Sequence, residues 1–265
     1  YRRIGTLFAV SNDRRRWLCG CRVLALRVPM LAVAVMLWMA APAFLGPVGS
    51  AHTSLRLAIS AHAAQPAVPK SYAAAMRWYQ AAAEAGDPKA QFYFGLILEQ
   101  GVHGKADATA AAGWYRKSAQ QGFALAELKM AQAMHFGIAV PVNLPAARAW
   151  YEKAAAAGLA EARFNLAILL ETGGPDIADP ARAVTLYAQA AQAGLAEAAV
   201  NLANIYIQGG AADQDLAAGY MWLSIADGLG EKTALAMRRQ LAPALDAEQR
   251  QHAAARAVTW LQNNQ

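Results

Sequence analysis

Residues 143–158 read Asn-Leu-Pro-Ala-Ala-Arg-Ala-Trp-Tyr-Glu-Lys-Ala-Ala-Ala-Ala-Gly, and the chain returns to this pattern every 36 residues. Its closing glycine, Gly158, recurs as Gly86, Gly122, Gly194 and Gly230. The aromatic pair Trp150-Tyr151 recurs as Trp78-Tyr79 and Trp114-Tyr115, then in altered form as Leu186-Tyr187 and Trp222-Leu223. Asn143 aligns with Ser71, Asp107, Asp179 and Asp215, and a second glycine follows at Gly101, Gly137, Gly173 and Gly209. These markers keep one spacing with no insertion, which is the signature of a stacked array rather than of a globular enzyme domain.

The markers are helix punctuation. Ser, Asp and Asn cap helix N-termini because their side chains accept a bond from an orphan N–H of the first turn. Proline at the first helical position, as in Asp179-Pro180, loses no hydrogen bond. A first helix, A, is therefore expected from about 71, 107, 143, 179 and 215, ending at the first glycine, where a left-handed residue is sterically free. Asp87-Pro88 repeats the signal for a second helix, B, immediately afterwards. Helix B carries apolar residues three and four apart, such as Phe164, Leu166, Ile168 and Leu169, and stops at the second glycine. The alanines before each first glycine, including Ala83, Ala119, Ala155 and Ala191, allow close helix approach, and the Trp-Tyr pairs are expected to fill the core. One such hairpin cannot bury its apolar face alone, but stacked neighbours can.

The string Ala-x-x-Trp-Tyr-x-x-Ala-Ala-x-x-Gly-x-x-x-Ala, preceded by Gly137-Ile138-Ala139-Val140 ahead of Asn143, resembles the Sel1-like repeat, a relative of the tetratricopeptide repeat. The resemblance covers residues 71–231. It implies an all-α, right-handed α-solenoid of antiparallel helix pairs, a bacterial source and an adaptor role toward protein partners. Leu186 and Leu223 depart from the pattern and are expected to weaken helix A of the later units. Residues 231–265 read as a C-terminal helical cap: Pro243 closes one helix, Asp246 and Gln249 form a capping box for the next, and Trp260 and Leu261 fold back on the last repeat.

The net charge of +6 suggests nucleic acid until it is divided along the chain. Residues 1–64 hold eight arginines against Asp13 alone, and the remainder carries 16 basic and 17 acidic residues. A footprint for phosphates belongs on the folded domain, so no nucleic-acid partner is expected. Arginines ahead of the uncharged apolar run 30–45 build an export signal, either a cleaved signal peptide or an uncleaved anchor. Both arrangements leave the arginines inside and the repeats outside the cytoplasm, periplasmic, secreted or tethered to the inner membrane. Membrane contact is expected only through this segment, if it stays uncleaved. Residues 46–70 read as a linker. Both cysteines, Cys19 and Cys21, precede the apolar run, so the repeats have no disulfide framework.

No catalytic, metal or cofactor pattern emerges. None of His52, His62, His103, His135 and His252 is at ligand spacing to another. Glu99, His135 and Glu171 share one position in successive units; they read as a polar stripe along one side of the stack or, the reading favoured here, as solvated helix-end residues. Candidate partner contacts are therefore the variable positions of helix A: Arg77, Gly113, Ala149, Thr185 and Met221 in one column, and Gln80, Arg116, Glu152, Ala188 and Ser224 in another. Arg77, Gln80, Arg116, Glu152, Lys153 and Ser224 are the selected residues. The expected function is a non-enzymatic interaction scaffold of the bacterial envelope, acting in signalling or secretion. The alternative is an envelope hydrolase that binds peptidoglycan or acts on β-lactams, as the resemblance also implies.

Overall fold

The computed structural model describes residues 72–101 and 105–264; the leader, Ser71 and His103 lie outside them. All regular structure in this region is helical. Five A helices, α1 (Tyr72–Glu84), α3 (Ala108–Gln120), α5 (Leu144–Ala156), α7 (Pro180–Gln192) and α9 (Leu216–Gly228), each have 13 residues. Between them lie four B helices of the same length: α2 (Pro88–Gln100), α4 (Ala124–Phe136), α6 (Ala160–Thr172) and α8 (Ala196–Gln208). Then come α10 (Lys232–Leu241), a single 3-10 turn at Ala242–Ala244, and α11 (Ala247–Asn264). Every helix from α1 to α9 packs on the next in sequence, giving a solenoid of antiparallel pairs, and α11 returns to pack on α9.

Local chemistry sets the boundaries. Asp107, Asn143, Asp179 and Asp215 each accept a bond from the backbone N–H three residues on, at 2.8–3.0 Å. At the other end of helix A, the Gly158 N–H donates to the Ala155 carbonyl and the Leu159 N–H to the Ala154 carbonyl. The same paired bonds recur at Gly86, Gly122, Gly194 and Gly230, a Schellman closure in every unit. Gly158 has φ +94°, where a side chain is strained.

This closure explains the absence of a polar cap on three B helices. Phe123, Leu159 and Leu195 sit at the N-cap of α4, α6 and α8 and form no side-chain cap bond. Each is also the residue after the left-handed glycine, a place that favours an apolar contact with the last turn of the preceding helix. All three pack against the core, so burial has won over capping. Glu161 and Glu197 in the first turns supply negative charge near the helix N-termini instead.

Each B helix packs more extensively on the following A helix than on its own. Small residues make that approach possible. Gly95, Ala131, Ala167 and Ala203 occupy one position of helix B, and Ala111, Ala147, Ala183 and Gly219 one position of the following helix A. A Cβ on Gly95 would lie 2.8 Å from the Tyr115 ring and 3.2 Å from the Ala111 carbonyl oxygen. The core is continuous from α4 to α11, with two smaller aromatic clusters around Phe92 and Phe94 at the other end.

The cap closes as its residues suggest. The Asp246 carboxylate accepts from the Gln249 N–H at 2.7 Å, and the Gln249 side chain accepts from the Asp246 N–H at 3.0 Å. Trp260 meets Trp222 edge to face with ring centroids 5.7 Å apart, and Leu261 closes over Gly228. Leu186 and Leu223 are both buried, and α7 and α9 keep the full 13-residue length.

Candidate functional site

The Trp-Tyr pairs divide between core and surface. Tyr115, Tyr151 and Tyr187 are buried, whereas Trp78 is 41% exposed and Trp114 and Trp150 are half-buried. The outer indole faces carry a cation: the Lys117 Nζ lies 3.9 Å from the Trp114 ring centroid and the Lys153 Nζ 4.3 Å from that of Trp150. Lys153, selected as a partner contact, is thus exposed but lies over the Trp150 ring of its own helix.

The buried tyrosines point their hydroxyls at the preceding B helix. Tyr115 donates to Glu99 at 2.7 Å and Tyr187 to Glu171 at 2.8 Å, while the Tyr151 hydroxyl lies 3.4 Å from His135 Nδ1. The expectation that Glu99, His135 and Glu171 are merely solvated is therefore corrected: they anchor one repeat to the next. Lys129 adds a 2.9 Å ion pair to Glu99. Burial, then the bond and charge of Glu99, raise the Tyr115 pKa; burial followed by the Glu171 charge raises that of Tyr187. Both phenols stay protonated donors. Burial lowers the pKa of His135. In the last unit both partners change together, to Ile207 and Leu223, and both are buried.

Among the other selected residues, Arg77, Gln80 and Arg116 are exposed on α1 and α3. Gln80 bonds Glu84 one turn on. Ser224 does not share that surface: it is buried, donates to the Tyr220 carbonyl at 2.8 Å and accepts from Arg238 at 3.3 Å. Met221, from the companion column, is buried too. The cap covers this end of helix A, and no single repeat reveals that.

Glu152 has a different setting. Its Oε1 accepts from Arg148 at 3.2 Å and from Arg182, on the next A helix, at 2.8 Å. Burial raises its pKa, but the two arginine bonds outweigh that and leave it below the ordinary carboxylate range. Glu152, Arg163 and Arg182 line a cleft of about 310 Å³ between α5 and α7, floored by α6. Arg148, Arg163 and Arg182 went unselected in the sequence because they lie outside the two variable columns. Their signal was that each stands where most other units carry a different residue.

Among the described residues, no three His, Cys, Asp or Glu side chains come together as a metal site, and no helix is long and apolar enough to cross a membrane. His252 is exposed on α11; Cys19, Cys21, His52 and His62 lie outside the described residues.

A family model described as Sel1 repeat matches residues 55–87, 88–123, 124–159, 160–195 and 196–226. The first match begins inside the stretch read as linker. The solved structure of a Sel1 repeat protein from Oxalobacter formigenes is similar over 72% of this chain and 76% of its own, at 30% identity and a TM-score of 0.59. A protective antigen of uropathogenic Escherichia coli, described as displaying an SLR fold, aligns over 74% of this chain and 50% of its own, at 26% identity and a TM-score of 0.47. A sel1 repeat protein from Klebsiella pneumoniae aligns over 63% of this chain and 99% of its own, at 23% identity and a TM-score of 0.37. No curated protein matches.

Proposed function

The chain belongs to the Sel1 repeat family, whose repeats generally serve as non-catalytic scaffolds for protein interaction, and from that premise we propose that it is a scaffold of the bacterial envelope that holds protein partners on its A-helix face. The observation carrying this reading is a division of labour within helix A. Tyr115, Tyr151 and Tyr187 hold the stack, while Arg77, Gln80, Gly113, Arg116, Ala149 and Thr185 are exposed and differ from unit to unit. Stacking makes no demand on these positions, so they are free to encode a partner. Export rests on the leader: eight arginines lie within residues 1–64, most of them ahead of the apolar run, and the remaining chain is nearly neutral. A role in envelope signalling or secretion follows from that location.

A photocrosslinking amino acid placed at Arg116 or Thr185 in cells tests the surface. Discrete crosslinked species from these sites, and none from Gln208 at the end of α8, are expected; equal or absent crosslinking at all three overturns the A-helix assignment. A phosphatase that folds only after export, fused behind residue 265, is expected to be active. Inactivity of that fusion, with a cytoplasmic reporter active in its place, overturns export.

A further inference from the structure

The repeats act as their own control, because each position is filled several times in one chain. Between successive A helices, the groove position is taken by an indole under a lysine at Trp114–Lys117 and again at Trp150–Lys153. One unit later both members are replaced, by Leu186 and Gln189. The cleft between α5 and α7 lies there, with Leu186 and Gln189 in its wall and Leu166 in its floor.

Charge departs from the pattern at the same place. Glu127, the counterpart of Arg163 one unit earlier, is buried, and the nearby Lys153 charge offsets part of the rise that burial imposes on its pKa. Arg163 reverses that sign, and its guanidinium has no ion-pair partner among the described residues. Arg182 stands where the neighbouring units have Ala110, Ala146 and Ala218. It reaches Glu152 at 2.8 Å, and Arg148 reaches the same oxygen at 3.2 Å. Arg148 and Arg182 thus share the Glu152 carboxylate, and Arg163, without an ion pair among the described residues, stands in a partly enclosed cleft that Arg182, Glu152 and the aliphatic Leu166 and Leu186 also line. These departures from the repeat come from α5, α6 and α7, which are separate in sequence, and they converge on one place.

We propose that this cleft binds an acidic peptide segment, with a Glu or Asp carboxylate held by Arg163 and Arg182 and a small aliphatic neighbour against Leu186. The assignment rests on the scaffold reading and adds the chemistry of the partner. A guanidinium presents paired N–H donors that match a carboxylate, and partial enclosure strengthens the attraction relative to open solvent. The aliphatic wall favours a peptide over a phosphate polymer. The near-neutral charge of residues 65–265, 16 basic against 17 acidic, offers a long polyanion no extended track.

Fluorescence anisotropy with the full chain tests the proposal. The probe is a labelled, end-blocked octapeptide of alternating Leu-Glu and Ala-Glu pairs, compared with its glutamine counterpart and with a labelled oligothymidylate. The glutamate peptide is expected to bind at least tenfold more tightly than either comparison probe. R163Q is expected to lose about tenfold in affinity. L186W refills the cleft with the residue that neighbouring units carry there, so it is expected to abolish binding while the melting temperature stays unchanged. Equal binding of the glutamate and glutamine peptides, R163Q at native affinity, or preference for the oligothymidylate overturns the proposal. Crosslinking from Arg116 separates the two readings. Its persistence alongside a failed peptide test removes the cleft assignment alone; its loss alongside successful peptide binding removes only the broader A-helix surface.

Discussion

The Tyr187 hydroxyl donates a 2.8 Å hydrogen bond to the carboxylate of Glu171, sixteen residues earlier and on the adjacent helix. Tyr115 and Glu99 repeat the relationship at 2.7 Å. Because a B helix packs more closely on the following A helix than on its own, this bond lies at the seam between repeats rather than inside one. His135 takes the glutamate's place opposite Tyr151, and only in the last unit are both partners replaced at once, by Ile207 and Leu223. An unpaired phenol or carboxylate there would cost a desolvated polar group without its partner, so the two positions are coupled.

Tyr187→Phe is therefore expected to destabilise the array by about 1 kcal/mol, since Glu171 is exposed and water takes up its lost bond. Glu171→Ile and Tyr187→Leu made together should cost less than the sum of the single changes, with a coupling energy of about 1 kcal/mol. Urea unfolding of the four proteins of the cycle measures this. Strict additivity would show that the bond only accompanies packing.

Two glycines with opposite reasons for being glycine give a second prediction. Gly158 has φ +94° and nothing within 4 Å of a built Cβ, so Gly158→Ala costs backbone strain alone, about 1–2 kcal/mol. Gly158→Asn is expected to recover part of that loss, because asparagine tolerates the left-handed region. Gly95 lies inside α2, where alanine gains about 1 kcal/mol in helix propensity. Its Cβ would nevertheless meet the Tyr115 ring at 2.8 Å, so Gly95→Ala is expected to be net destabilising through displacement of that ring. Thermal melts and near-ultraviolet circular dichroism distinguish the cases: only the change at Gly95 should alter the tyrosine signal.

The parts of this fold legible in the sequence are those governed by local chemistry. Asp107, Asn143, Asp179 and Asp215 cap where a capping side chain must, and Gly86 and its equivalents turn where a side chain is strained. Relationships between neighbouring helices were not legible in the same way. Glu99, His135 and Glu171 are the penultimate residues of their helices and look solvated until the next repeat brings up its tyrosine. Trp114 and Trp150 recur as strictly as the tyrosines, yet recurrence alone does not separate a buried ring from one half-covered by lysine. Ser224 follows the column of Arg116 and Glu152, but the cap covers that unit. Leu186 signalled a departure from the pattern, and its meaning emerged only when Arg163 and Arg182 were found beside it.

His135 makes the seam between the second and third repeats sensitive to acid. Burial lowers its pKa in the fold, so the unfolded chain binds the proton more readily. Stability supplied by the neutral imidazole is complete above about 6.5, the ordinary histidine value, and falls as pH drops through that value toward the lower folded one. Urea midpoints at pH 7.5 and 5.5 are expected to differ more for the native chain than for His135→Gln. The low pKa of Glu152 acts below that window, because its bonds to Arg148 and Arg182 persist until the carboxyl protonates. An identical pH response in both proteins would exclude His135 as the source.

The end of the stack gives the last prediction. Residues 221–226 of α9 are buried in succession, an unbroken run that no other A helix shows. Helix α8 covers one side of α9, and α10 and α11 cover the rest, with Trp260 against Trp222. Arg238 fixes the cap from the polar side through Asp227 at 3.2 Å and Ser224 at 3.3 Å. Trp260 is only half-buried, so Trp260→Ala is expected to cost about 2 kcal/mol, below the range for a fully enclosed indole. Ending the chain after Leu245 removes α11 altogether and uncovers the apolar side of α9, including Trp222. The shortened protein should elute as oligomers in size-exclusion chromatography and bind a hydrophobic dye, because an uncapped repeat array presents an apolar end. If it elutes as the full chain does, with no dye signal, α11 is an appendage and burial of α9 does not depend on it.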